Sequence, residues 1–169
     1  MNERLVILAQ ICNGLVALHD KGITHHDLKP ANVLFTRKGQ AKICDFSLYG
    51  SSLLLQLFDS GFSDQITPMY VAPEIIRKER ATQLSDMYSL GVMMYLMFVG
   101  QVPFAVDSIQ QLYLCHLQTP PIHPTDMTDQ CPRSLGDIIM QLLKKKPADR
   151  IPNCDQLRIA LSGIGKSRM

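Results

Sequence analysis

The apolar run from Tyr88 to Val99 leaves a folding chain few choices. It falls well short of the ~18 residues that a membrane span needs, so it reads as a buried helix. Ser85 is placed as its N-cap, the helix runs from Asp86 to about Val99, and Gly100 ends it. A chain of 169 residues is long enough for one domain with a real core around such a helix. Apolar content is ordinary and the net charge is only +2, so neither nucleic acid nor membrane is expected as a dominant partner. The start, Met1-Asn2-Glu3-Arg4, is charged but lacks a cleavage site after its apolar stretch, which argues against a signal peptide. The five cysteines are scattered, odd in number and without a C-x-x-C. They read as reduced thiols of a cytoplasmic protein rather than a disulfide framework or zinc site. No internal repeat or low-complexity segment interrupts the chain.

Leu5, Leu8, Ile11, Leu15 and Leu18 recur at helical spacing, which predicts an amphipathic helix over 3–20, with Gly22 free to take a left-handed cap. A loop follows from Thr24 to Asn32, with Pro30 opposing helix. Val33-Leu34-Phe35 and Ala41-Lys42-Ile43-Cys44 are short β-rich runs around Arg37-Lys38-Gly39-Gln40, a hairpin pattern. Residues 47–70 read as a long irregular stretch, functional or mobile. Ser108 with Gln111 has capping-box spacing before a helix to about Leu117. Pro120, Pro121, Pro124 and Pro132 punctuate a loop, Ser134 caps a helix through Leu143, and a last helix runs from about Cys154 to Leu161. The fold class expected is mainly α, with one small hairpin.

The chemistry concentrates between His25 and Phe46. The segment reads His25-His26-Asp27-Leu28-Lys29-Pro30-Ala31-Asn32-Val33-Leu34 and, about ten residues on, Asp45-Phe46-Ser47. Two carboxylates, a lysine and a carboxamide thus lie on loops joined by a hairpin, which suits holding Mg²⁺ and a triphosphate against a hydroxyl nucleophile. These motifs resemble the H-R-D-L-x-x-x-N and D-F-G segments of eukaryotic protein kinases. Thr67-Pro68-Met69-Tyr70-Val71-Ala72-Pro73-Glu74 is similar to the family's A-P-E segment. Asp86-Met87-Tyr88-Ser89-Leu90-Gly91 is similar to the start of its buried central helix, and Pro147-Ala148-Asp149-Arg150 to its late arginine segment. The motifs fall in the family's order, and the resemblance covers about Leu5 to Leu161.

The resemblance implies a kinase C-terminal lobe over 1–161, its hairpin carrying the catalytic and metal-binding loops, and a basic tail over 162–169. It implies transfer of the ATP γ-phosphate to a protein Ser/Thr hydroxyl, with ATP and Mg²⁺ as cofactors and a protein as substrate. Asp27 would accept or orient the hydroxyl proton, and Lys29 would stand near the transferred phosphate. Asn32 and Asp45 would hold Mg²⁺ with hard oxygens, and Leu34 would lie under adenine. His25 and Phe46 would stack in the lobe's spine. Glu74 and Arg150 would form a buried ion pair whose disruption costs ~3–5 kcal/mol. Lys29 and Thr67-Pro68 are the forms typical of serine/threonine kinases. Taken singly, each residue has a plainer role: Asp27 or Asp45 capping a turn, Lys29 solvated, Asn32 satisfying loop backbone. The joint arrangement points to chemistry.

Three departures bear on function. His26 stands where the family's arginine meets an activation-loop phosphate; a histidine mostly neutral at pH 7 is a weaker partner. Activation through phosphorylation of Ser60, Ser63 or Thr67 is therefore not expected, and Thr67 is assigned a structural role near Asp27 and Lys29. The pair His25-His26 lacks further ligands for a metal site. Ser47 replaces the glycine of D-F-G, which biases the loop but leaves metal binding by Asp45 possible. Residues 1–169 contain no G-x-G-x-x-G, no V-A-I-K lysine and no helix with its glutamate partner. The expectation is little or no activity from this chain alone, with an N-lobe or partner protein covering the cleft. The alternative is a pseudokinase-like binding module. Ala160 to Ser167 nearly fits the phosphate-loop pattern, but it follows a helix rather than a strand.

Overall fold

The computed structural model describes residues 2–46 and 68–164. Helix α1 (Asn2–His19) buries Leu8, Ile11, Cys12 and Leu15, the stripe that its spacing predicts. Past its end Gly22 sits at φ 69°, and the Ile23 amide donates back to the Leu18 carbonyl at 3.0 Å. A left-handed glycine here satisfies carbonyls that the helix leaves open. Pro30 does not exclude helix: it opens a single 3₁₀ turn, Pro30–Asn32, where its missing N–H costs nothing. Strands β1 (Val33–Phe35) and β2 (Ala41–Ile43) pair antiparallel, Val33 opposite Ile43 and Phe35 opposite Ala41.

After a 3₁₀ turn at Pro68–Tyr70 and the short α2 (Pro73–Ile76), the central helix α3 spans Gln83–Val99. It starts earlier than expected. Thr82 is the N-cap and Ser85 is the fourth member of a capping box, its hydroxyl accepting from the Thr82 amide at 3.2 Å. Both residues suit a cap; the box uses them together. Every residue from Ser85 to Tyr95 is buried, and Gly100 ends the helix at φ 89°. Gly91 lets α3 lie directly on the Leu142 end of α6 (Arg133–Leu142).

The remaining helices are α4 (Ile109–Gln118), α5 (Pro124–Met127) and α7 (Cys154–Ser162), with a 3₁₀ turn at Pro147–Asp149. Ser108 accepts from the Gln111 amide at 3.1 Å, the expected cap of α4. Two expectations shift. Pro124 begins α5 instead of breaking helix, with His123 as N-cap. Pro132, not Ser134, occupies the cap position of α6, where its fixed φ suits the turn into helix. α1 packs between α7 and β2, and α3 packs on α6, so α1, α3, α6 and α7 enclose one core. The mainly helical architecture with one hairpin is the class expected. No described helix is long and apolar enough to cross a membrane. Ala160 to Ser162 are helical, which removes the strand a phosphate loop requires. Ile164 is buried, so packing continues past residue 161.

Candidate active site

The hairpin holds two loops side by side. Beyond the Val33–Ile43 pair, the Cys44 amide donates to the Asn32 carbonyl at 2.9 Å. That bond brings the loop ending at Asn32 beside the loop beginning at Asp45. Within the first loop, Asp27 Oδ2 accepts from Lys29 Nζ at 2.7 Å and from Asn32 Nδ2 at 3.1 Å. Asn32 Nδ2 also donates to the Asp27 carbonyl at 2.7 Å. The amide nitrogen is thereby turned toward Asp27, which leaves the amide oxygen facing elsewhere as a neutral hard donor. Asp27, Lys29 and Asn32 thus form one hydrogen-bonded group.

Asp45 is exposed at φ 56°, and its Oδ2 lies 3.6 Å from Cys44 Sγ. His26 is at φ 70°. Asp tolerates the left-handed region better than most residues; His26 needs its backbone fixed from outside. Asp86, at the first turn of α3 and 1% exposed, supplies that restraint. Its carboxylate accepts from the His25 amide at 2.8 Å, the His26 amide at 3.1 Å and His19 Nε2 at 2.8 Å. Sequence alone placed Asp86 only as a helix start. An acidic residue opening so apolar a helix was the available signal, because a buried carboxylate must find donors.

The His25 ring is fully buried, and burial lowers its pKa against the opposing pull of Asp86. Burial likewise lowers the pKa of His26, whose Nδ1 is buried without a hydrogen-bond partner among the described residues. Leu34 is 56% exposed on the hairpin. Phe46 departs from expectation. It is 40% exposed and lines a groove of about 570 Å³ with Asn13, Gly14, Ala17 and Ile43, on the α1 side of the hairpin. A side chain so exposed is not part of a buried stack with His25. Ser47, Ser60, Ser63 and Thr67 lie outside the described residues.

Behind the loops, Arg150 grips Glu74 with both ends of its fork, at 2.8 and 2.7 Å. Ser85 adds a third donor to Glu74 at 2.7 Å. Burial alone would raise the Glu74 pKa, but the guanidinium outweighs it and holds the carboxyl below its usual range. Ser89 Oγ donates to the Tyr70 carbonyl at 2.7 Å, tying the Pro68–Tyr70 turn to α3. Residues 2–159 match the protein kinase domain. The chain belongs to the protein kinase family. It is 34% identical over 161 residues to the serine/threonine-protein kinase PknA of Corynebacterium glutamicum, covering 95% of this chain and 33% of that protein. It is 29% identical over 158 residues to PksC of Streptomyces coelicolor, covering 93% and 28%. It is 37% identical over 150 residues to PLK4 of Xenopus laevis, covering 89% and 15%. The chain spans about a third of the length of the first of these curated relatives, and less of the other two.

In this kinase lobe, no group of three or more His, Cys, Asp or Glu side chains forms a metal site among the described residues. This is compatible with Mg²⁺, which is commonly bound by one or two protein oxygens plus phosphates and water. Asn32 and Asp45 offer such oxygens at the open end of the hairpin.

Proposed function

We propose that this chain supplies the catalytic-loop half of a serine/threonine protein kinase that transfers the γ-phosphate of ATP to a protein hydroxyl. The supporting observation is the Asp27–Lys29–Asn32 group, a carboxylate flanked by a cation and a carboxamide on a loop that Asp86 fixes. Asp27 takes the proton of the attacking Ser or Thr hydroxyl. Lys29 places positive charge near the phosphate as its bond to ADP breaks. Asn32 and Asp45 would hold Mg²⁺, which when bound neutralises charge on the phosphate oxygens. Leu34 presents an apolar surface to adenine. The glycine-rich cover and lysine clamp for the triphosphate come from outside residues 1–169.

The half-buried His26, whose pKa burial lowers, supports a second element of this reading: activation without a phosphate docked on the residue before Asp27. The test uses the native protein, captured from its source cells with an antibody against the 65–80 segment and sized. Phosphate transfer from labelled ATP to a Ser/Thr-containing protein substrate is then compared with Asp27→Asn. A drop of roughly 10²–10⁴-fold is expected for loss of a general base. Equal rates would overturn the role of Asp27. No transfer by either protein would favour a non-catalytic binding module that keeps the kinase fold.

A further inference from the structure

Two runs of cations meet at one corner of the lobe. Arg77, Lys78 and Arg80 follow α2, and Lys144, Lys145 and Lys146 follow α6. All but the half-buried Lys145 are exposed. The runs are far apart in the chain, and Arg150 joins them. While its guanidinium grips Glu74 of α2, it also donates to the Lys144 carbonyl at 2.8 Å and to the Lys145 carbonyl at 3.2 Å. The Glu79 amide returns to the Glu74 carbonyl at 2.9 Å, which folds the segment after α2 back over the same residue. Lys145 turns inward. Its Nζ donates to the Cys115 carbonyl of α4 at 2.8 Å and lies 4.6 Å from the centroid of the Phe104 ring. Burial, reinforced by the Arg150 and Arg77 cations, lowers the Lys145 pKa from 10.5 to about 8.

Only two carboxylates, Glu79 and Asp149, interrupt these runs, and both are exposed. The patch therefore carries more positive charge than the whole chain, whose net charge is +2, and the remainder is net acidic. Lys78 adds an independent sign. It follows the C-cap of α2 at φ 61°, its amide donating to the Ile75 carbonyl at 3.0 Å. Glycine or asparagine usually fills such a left-handed position. A lysine there keeps a positive charge despite the backbone strain. The patch also borders the phosphate site. Ile75 and Ala81, on either side of residues 77–80, line one small cavity with His26, which precedes Asp27. Helix α4 packs against both α2 and the Pro68–Tyr70 turn.

We infer that this patch docks an acidic segment of the protein substrate, with Asp and Glu side chains close in sequence to the hydroxyl that receives phosphate. The inference rests on the kinase reading above and adds a substrate class to it: Ser/Thr sites flanked by carboxylates. Positive charge concentrated beside the loop of Asp27 steers such a segment inward and pairs with it once bound. Glu79 and Asp149 repel an unbroken row of nucleic-acid phosphates, whereas separate carboxylates can settle around them.

The test measures binding of two fluorescent serine peptides to the full chain, one flanked by Asp and Glu, the other with Asn and Gln in their places. Several exposed ion pairs acting together are expected to make the acidic peptide bind roughly tenfold tighter. That preference is expected to vanish at about 1 M salt, where the screening length falls to ~3 Å. The salt series is read on the unmodified chain, so it does not depend on how a variant folds. In Arg77→Glu combined with Lys144→Glu, both exposed and neither a partner in the Glu74–Arg150 side-chain pair, the two peptides are expected to bind alike. Equal affinities for the unmodified chain, or an acidic preference untouched by the double reversal, overturn the proposal. So does a DNA duplex that binds tighter than the acidic peptide and displaces it. Binding is read without ATP, so two failures stay separate: loss of the acidic preference overturns this surface, and loss of phosphate transfer overturns the role of Asp27.

Discussion

Asp86 accepts from two consecutive backbone amides and an imidazole, all from segments about sixty residues earlier in the chain. The physical demand is mutual. The carboxylate needs donors because it is buried, and the His26 backbone needs a restraint because it sits at φ 70°. An asparagine would keep the size but replace one acceptor oxygen with a donor that faces another donor. Asp86→Asn is expected to lose about 1.5–3 kcal/mol for each charge-assisted bond broken. Urea unfolding reads the stability loss, and faster amide exchange at His25 and His26 reads its location. Unchanged protection at those two amides would sink the restraining role. The Asp27, Lys29 and Asn32 group was legible from the sequence because its members lie within six residues of each other and meet through local hydrogen bonds. Asp86 was not, because its partners are set by packing.

The hairpin and the central helix divide the work between elements. β1 and β2 are three residues each, yet their register sets Asn32 opposite Cys44 and so puts Asp45 beside the loop that carries Asp27. Helix α3 is the rigid post behind it, and its own placement depends on Gly91. A Cβ added there would stand 2.7 Å from the Leu142 Cβ, an atom fixed to the α6 backbone. The helices must then separate or tilt. Gly91→Ala is expected to cost ~1–3 kcal/mol by overpacking. A urea midpoint equal to that of the parent chain would show that the crossing can relax freely. Helix limits were largely readable from periodicity and capping chemistry. The start of α3 was misjudged because Thr82 and Ser85 both suit a cap, and their reciprocal bonds appear only once the turn is formed.

At the scale of the whole molecule, buried histidines make stability depend on acid. Burial, reinforced by the Lys145 cation, lowers the pKa of His116 from 6.5 to about 3. Its Nδ1 shares a 2.8 Å hydrogen bond with the Tyr88 hydroxyl. Between those two values the unfolded chain holds a proton that the folded chain does not, so stability is lost as pH falls from 6.5 toward 3. His25 and His26 shift in the same direction, again because they are buried. Glu74, held low in the fold, adds a further loss as pH falls below its unfolded value of 4.5. The urea midpoint is expected to decline steadily below pH 6.5. His116→Gln, which keeps a polar partner for Tyr88, is expected to flatten that decline at mildly acidic pH, above the range where Glu74 protonates. Equal slopes for the two proteins would show that His116 is not held neutral.

By itself the sequence determined most stretches of helix and hairpin, that the domain is mainly α, and the clustering of candidate residues around Asp27. These depend on side-chain periodicity, capping and close spacing, which are short-range in the chain. Only the tertiary structure decided that Asp86 holds the loop that leads into Asp27 and that Phe46 lies in a groove against α1 rather than in a stack with His25. Each of those contacts joins segments whose approach is set by how α1, α3 and α7 pack. Burial then selects which polar groups must pair, and neither effect is written in any short stretch of residues.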